Sequence, residues 1–233
     1  MAFALITGSA ARGGAAIAKH LHGRGLRVVL HHSPRSAEAA SELAAQLNAL
    51  RADSAVLWCA EFSGRELDVP SWLVDSPVEI CVCNASVWHP SDLDDFSRAD
   101  ADWAIHVASH ARILSALRSS LRSVVAISDI HVERPKKGYV WYTVAKAALQ
   151  SLMLSLAVEW APTVRCNIIQ PGALQLPEGM EAELEATILH SIPLARLGDF
   201  EDLAGAVAYL ALDAKYVTGQ VLALDGGRSR WLA

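Results

Sequence analysis

The chain has 233 residues, 52% of them hydrophobic and only 19% charged, with a formal net charge of -5. Composition of that kind excludes a disordered tail, and a net acidic chain lacks the basic surface that binding to a phosphate backbone requires. No apolar run approaches the length of about eighteen residues that a membrane span needs, and no basic leader with a cleavage site opens the chain, so a cytoplasmic location is expected.

In chain order, Phe3 to Thr7 is a short apolar run that enters a glycine-rich turn, and Gly13 to Arg24 follows with helix-spaced Ile17, Ala18 and Leu21. Leu26 to His32, Ser54 to Ala60, Val78 to Asn84, Ser123 to Ser128, Val164 to Gln170 and Gln220 to Leu224 complete a set of seven predicted strands. Between them lie helical stretches at Ser36 to Leu50, Ala99 to Leu121, Val140 to Trp160, Glu181 to His190 and Phe200 to Ala211. Strands such as Val78 to Asn84 are continuously apolar rather than alternating, as parallel strands covered on both faces are. The expected fold is α/β, a three-layer doubly wound parallel sheet of Rossmann-like type with about seven strands. One domain over 1–233 is expected, its segment 174–197 forming a cover over the substrate. Cys59, Cys81, Cys83 and Cys166 all sit in apolar runs and are expected to be buried and structural. No histidine has carboxylate or cysteine partners at ligand spacing, so no metal site is assigned.

Thr7-Gly8-Ser9-Ala10-Ala11-Arg12-Gly13-Gly14 joins the first strand to the first helix. Backbone N–H groups and the helix dipole at such a junction suit a pyrophosphate, although a small-residue junction alone has the same pattern. After the second strand, where a free 2′-hydroxyl is usually met by an acid, the chain reads His31-His32-Ser33-Pro34-Arg35-Ser36. Arg35 and Ser36, with Arg12 nearby, offer donors suited to a 2′-phosphate, which favours NADPH over NADH. The plain alternative leaves Arg35 as a solvated residue before a helix.

Tyr142 and Lys146 open the long helix at i, i+4 spacing, which puts phenol and ammonium on one face, about 6 Å apart. A cation 4–5 Å from a phenol in an effective dielectric near 20 stabilises its anion by about 3–4 kcal/mol, enough to make Tyr142 a proton donor near neutrality.

The glycine turn, Cys83-Asn84-Ala85-Ser86 after the fourth strand, Tyr142 with Lys146, Pro171-Gly172 after the sixth strand, and the closing Val217-Thr218-Gly219 and Leu224-Asp225-Gly226-Gly227 occur in that order. With these features the chain resembles the short-chain dehydrogenase/reductase family over nearly its whole length. The resemblance implies an NAD(P)-dependent oxidoreductase, commonly a homotetramer, in which Tyr142 moves a proton and Lys146 also binds the nicotinamide ribose. It further implies a cofactor site drawn from Gly8, Arg12, Gly13, Gly14, His31, Arg35, Ser36, Glu61, Asn84, Ala85, Ser86, Ser128, Tyr142, Lys146, Pro171 and Gly172. Apolar residues on more than one face of the Ala99 to Leu121 and Val140 to Trp160 helices agree with packing between subunits.

Departures from the family pattern narrow the reading. Thirteen positions before Tyr142, where most members carry a serine that donates to a carbonyl, stands Asp129. An ionised carboxylate accepts hydrogen bonds and cannot donate, so it repels a ketone oxygen and favours a nitrogen heterocycle. Asp129, Arg12 in place of a usual glycine, and Ser86 in place of another make the chain similar to the pteridine reductase branch, as do the Asn84-to-Trp88, Asp129-to-Arg134 and Asp225-to-Arg228 segments. That branch implies reduction of a 7,8-dihydropterin or dihydrofolate, with Asp129, Tyr142 and Lys146 catalytic. Arg12, Ser86, Trp88, Asp129 and Tyr142 would meet the substrate, Trp88 by stacking on the pterin ring. With seven tryptophans in the chain, Trp88 also reads as an ordinary loop aromatic. His106 takes the place of the family's relay asparagine and reads either as a relay or, in the simpler view, as a core histidine bonded to a backbone carbonyl. Two rivals to pterin reduction are a carbonyl or 3-oxoacyl thioester reductase, with Ser128 turned in as donor, and a non-catalytic NADP-binding sensor or scaffold.

Overall fold

A computed structural model describes residues 2–62, 66–176 and 179–231. Seven strands form one parallel sheet in the order β3-β2-β1-β4-β5-β6-β7: β1 Phe3–Ile6, β2 Arg27–His32, β3 Ala55–Cys59, β4 Val78–Cys83, β5 Ser123–Ile127, β6 Arg165–Pro171 and β7 Val221–Leu224. The helices are α1 Arg12–Gly23, α2 Ala37–Leu50, α3 Ser71–Val74, α4 Phe96–Trp103, α5 Ser109–Leu117, α6 Val140–Glu159, α7 Ala182–His190 and α8 Phe200–Ala208.

Alternate residues of each strand feed two separate cores. Ala4 and Ile6 of β1 pack with α1, α2 and α8 through Ile17, Leu21, Leu43 and Leu203. Phe3 and Leu5 pack on the other face with α5 and α6 through Ile113, Leu114, Leu149 and Met153. Both faces are therefore covered, which explains the unbroken apolar strands. The chain reverses its direction of winding between β1 and β4, and the crevice at the carboxyl ends of those strands is where ligands of such sheets bind.

Most predicted elements are present with ends shifted by a residue or two. The predicted helix from Ala99 to Leu121 begins earlier, at Phe96, because the Asp95 side chain caps the Arg98 N–H, and it is interrupted by a wider π turn over Ala104–Ala108. Cys59 corrects the cysteine reading. It is exposed on the edge strand β3, while Cys81, Cys83 and Cys166 are buried. An edge strand lets every second side chain reach solvent, and the burial of β3 alternates in that way toward Cys59. Within segment 174–197, α7 has no buried residue, and the Gly198 N–H donates to the Ala173 carbonyl at 3.0 Å, so the residues flanking the segment are tied to each other. Residues 177 and 178 of that segment lie outside the described residues.

Candidate active site

The turn after β1 takes its shape from the residues around it. Gly8 has φ +64°, and a Cβ there would stand 2.9 Å from the Ala85 Cα. At Gly14 a Cβ would overlap the Gly8 carbonyl and come within 2.8 Å of Asn84 Nδ2. Asn84 itself donates from Nδ2 to the carbonyls of Thr7 and Gly8, at 2.9 and 3.0 Å. Thr7 Oγ1 accepts the N–H groups of Asn84 and Ala85 at 2.8 and 2.9 Å, so the β1 and β4 loops are stitched together. Helix α1 begins behind Ala11 with no side-chain cap and no acid in its first turn. Its leading N–H groups are thus free to meet an anion, which fits a pyrophosphate.

Three buried histidines support these loops from below. His31 Nδ1 accepts the Gly8 N–H at 3.0 Å, its Nε2–H donates to the Ala60 carbonyl at 3.2 Å, and its ring stacks on Phe62. His31 was expected among the cofactor contacts, but both its ring nitrogens are engaged within the protein, and it shapes the turn rather than facing the crevice. His106 donates from Nδ1 to the Asp102 carbonyl at 2.9 Å, leaving Nε2 to accept from Val87 N–H at 3.3 Å and Ser86 Oγ at 3.0 Å. This is the simpler of the two readings of His106, with a loop-anchoring role added. His110 donates to the His106 carbonyl at 2.9 Å and pairs through Nε2 with Thr7 Oγ1 at 2.9 Å. Burial holds all three below the ordinary histidine value, His31 to about 3 and His110 to about 4, so they are neutral.

Beyond β2, Arg35 is exposed in the short turn Pro34–Ser36, and the Ser36 hydroxyl donates to the Ser33 carbonyl at 3.2 Å. Arg12, with φ 51°, is exposed at the start of α1, its guanidinium 5.8 Å from the Phe200 ring centre. Glu61 is exposed just past β3. Pro171 ends β6 and Gly172 follows it, where a Cβ on Gly172 would strike Asp225 at 2.7 Å.

At the catalytic face the Tyr142 hydroxyl donates to Asp129 Oδ2 at 2.8 Å. Asp129 Oδ1 accepts the backbone N–H of His131 at 2.8 Å and stands 2.6 Å from His131 Nδ1. Burial would raise the Asp129 carboxyl, but the His131 donors and the Tyr142 hydroxyl outweigh it and hold the group below its usual value, ionised. Tyr142 goes the other way. Burial, and then the Asp129 carboxylate, raise the phenol well above its ordinary value, with the Ser86 hydroxyl opposing. This corrects the expectation that Lys146 brings the phenol toward neutrality. The ammonium lies 5.7 Å from the centre of the Tyr142 ring and donates to the Ile127 carbonyl at 2.8 Å, and burial lowers it to about 8. Desolvation and the adjacent anion prevail over a cation placed beside the ring rather than at its oxygen. Ser128 is buried, with its hydroxyl directed at the Lys146 carbonyl at 3.4 Å, so it faces α6 and not the crevice.

Trp88 is 39% exposed and stacks on Tyr139, ring centres 4.2 Å apart, with its edge on Tyr142 at 4.4 Å and His131 at 5.4 Å. Lys136 Nζ caps this cluster, 5.3 Å from the Trp88 ring centre and 4.8 Å from that of Tyr139. Sequence reasoning did not find His131, Lys136, Tyr139 or His110. For His131 there was a signal, a donor two residues after an aspartate, the spacing at which an Asx turn closes.

The chain belongs to the short-chain dehydrogenase/reductase family of oxidoreductases: a family model described as "Enoyl-(Acyl carrier protein) reductase" matches residues 9–229, and full-length relatives agree. It is 33% identical to pteridine reductase 1 of Leishmania tarentolae, with 97% of this chain and 96% of the relative covered. It is 32% identical to an uncharacterized oxidoreductase, YmfI, of Bacillus subtilis, with 96% and 97% covered. Among solved structures it is similar to the FolM alternative dihydrofolate reductase 1 of Brucella canis complexed with NADP, with TM-score 0.90, 27% identity, and 100% of this chain and 95% of that chain covered.

Proposed function

We propose that the chain reduces the C=N bond of a dihydropterin, such as a 7,8-dihydropterin or dihydrofolate, with NADPH. The observation that carries this reading is the ionised Asp129 bonded to the Tyr142 hydroxyl at 2.8 Å, in the place where a carbonyl reductase of this family needs a neutral donor. Ser128, the residue a carbonyl reading would turn in as donor, has its hydroxyl on the α6 backbone, which counts against that reading. The names of the Leishmania and Brucella relatives support the pterin class.

In this reading the N-terminus of α1 with Gly8, Arg12, Gly13 and Gly14 holds the pyrophosphate, and Arg35 and Ser36 meet the 2′-phosphate. Asn84, Ala85, Ser86, Lys146, Pro171 and Gly172 border the nicotinamide end. Bound NADPH supplies a hydride to a ring carbon of the substrate. Tyr142 gives its hydroxyl proton to the adjacent ring nitrogen, Asp129 holds and orients that hydroxyl as its acceptor, Lys146 holds the ribose and keeps positive charge beneath the site, and Trp88 gives the flat heterocycle a stacking surface. Phe96 and Trp103 of α4 and Val144 and Val158 of α6 are exposed apolar side chains, which supports self-association of the chain, with a tetramer as the family pattern.

Asp129→Ser tests the reading. In NADPH oxidation assays with dihydropterin, dihydrofolate and an acetoacetyl thioester, dihydropterin turnover is expected to fall by at least about a hundredfold while NADPH binding persists. Undiminished turnover of the serine variant overturns the assignment, and stronger binding of NADH than NADPH removes the role given to Arg35 and Ser36.

A further inference from the structure

Asp129 begins a 3-10 turn, Ile130–Val132, in an extended conformation, and its side chain folds back over that turn. The bond from the His131 backbone N–H to Oδ1 is an ordinary cap that any residue except proline would provide. The imidazole adds a second donor to the same oxygen. Because an ionised carboxylate only accepts, the proton of the 2.6 Å contact lies on Nδ1, and the distance is that of a charge-assisted bond. Oδ1 is thereby fully engaged, and Oδ2 is the oxygen left to face the phenol.

Among the described residues, the charged and titratable groups facing Asp129 are His131 from its own turn, Tyr142 and Lys146 from α6, and Arg228 from the C-terminal tail. Of these, only His131 and Tyr142 touch it. Lys146 Nζ is bonded to the Ile127 carbonyl, and Arg228 acts at longer range. The carboxylate is only 18% exposed, and desolvation is the largest influence acting against its charge. His131, 22% exposed and with the Trp88 ring as its other neighbour, is the group at the edge of the crevice that offsets this.

We infer that His131 is a positioning residue that acts through Asp129: it keeps the carboxylate ionised and turned so that Oδ2 meets the Tyr142 hydroxyl. This deepens the pterin reductase reading and rests on it for its catalytic meaning, while the state of Asp129 can be measured without substrate.

The test follows the Asp129 carboxyl carbon by NMR in aspartate-labelled protein, its resonance identified by its loss in Asp129→Asn. In His131→Ala the Asp129 titration midpoint is expected to rise by about one pH unit or more, with NADPH affinity kept within about twofold. The acid limb of kcat for dihydropterin reduction moves with it. In His131→Asn, whose amide N–H takes the place of Nδ1–H, both return toward the wild type. A His131→Ala protein that binds NADPH and whose Asp129 titrates as in the wild type overturns the inference. Should the alanine variant fail to fold, His131→Asn against His131→Leu reads the same contrast, and equal titration in that pair overturns it equally. If the NMR shift appears but the wild type reduces no dihydropterin, the pterin reading fails and the positioning role stands.

Discussion

Behind the β1 turn, His31, His106 and His110 are buried, and each lends an unprotonated ring nitrogen to a donor on a loop; beside the phenol, half-buried His131 lends an N–H to a carboxylate. One residue type is thus used in opposite senses about the same crevice. Enclosure decides the first use, since a fully desolvated imidazole sheds its charge and becomes an acceptor. An adjacent anion at the edge of solvent decides the second. The nucleotide end is consequently a matter of shape and neutral hydrogen bonds, whereas the catalytic end is a matter of charge.

If that contrast holds, the largest effect of a single methyl group lies at the nucleotide end. Gly14→Ala would drive a Cβ into the Gly8 carbonyl and the Asn84 amide, the two groups that keep the β1 and β4 loops in register. Relief requires the backbone to move, so a loss of about 1–3 kcal/mol in stability is expected. NADPH affinity should fall by at least about tenfold, since the displaced N–H groups are those proposed to meet the pyrophosphate. Urea unfolding and fluorescence titration with NADPH measure the two, and wild-type affinity in Gly14→Ala would break the claim that shape governs this end.

Acid distinguishes the ends next. The folded-state values of His31 and His110, about 3 and about 4, lie below the unfolded value of 6.5. Below pH 6.5 the unfolded chain takes up protons that the folded chain refuses, so folding stability is intact above 6.5 and is lost as pH falls toward 4. Each such histidine contributes a slope of about 1.4 kcal/mol per pH unit in that window. Asp129 also favours the folded state when ionised, but its folded value lies below the ordinary 3.8, so its contribution disappears only at lower pH. Urea midpoints measured from pH 7 to 4.5 should fall steadily. His31→Asn, which keeps an acceptor for the Gly8 N–H without the titration, should flatten that slope even if it lowers the whole curve.

What the sequence made legible is what local order encodes. The alternation of apolar runs with helical periods carried the sheet, and the glycine turn and the Tyr142 and Lys146 pair were readable because each belongs to a strand end or a helix start whose spacing is fixed, whereas Asn84 and Asp129 stood out only through the family resemblance. The phenol's proton affinity was not readable, because i, i+4 spacing gives a distance between two groups and says nothing of the burial that outweighs it at Tyr142. His31 looked like a cofactor contact for the same reason: its place in the chain is at the crevice, but its side chain points into the core at the Phe62 ring. His106 and His110 connect to the loops of two different strands across the π turn, and Tyr139 meets Trp88 because the loop after β4 bridges to the segment before α6, the Ser91 N–H donating to the Gly138 carbonyl at 2.8 Å. Contacts of that kind are set by tertiary closure and leave no periodic trace.

The smallest expected effect is at Trp88, where the comparison can be sharpened. Its indole already has one neighbour in Tyr139, stacked at 4.2 Å, and is 39% exposed, so a flat heterocycle would extend an existing stack rather than create one. Offset stacking contributes about 0.5–1.5 kcal/mol beyond buried area, which corresponds to a rise in KM for dihydropterin of about two- to tenfold in Trp88→Ala. NADPH affinity should remain unchanged, because none of the groups that shape the β1 turn touches the indole. Steady-state kinetics with both ligands varied separates the outcomes: an unchanged KM makes Trp88 a loop aromatic that packs Tyr139. A loss of NADPH affinity would instead mean that the aromatic cluster supports both ends of the crevice, and the division between shape and charge would have to be redrawn.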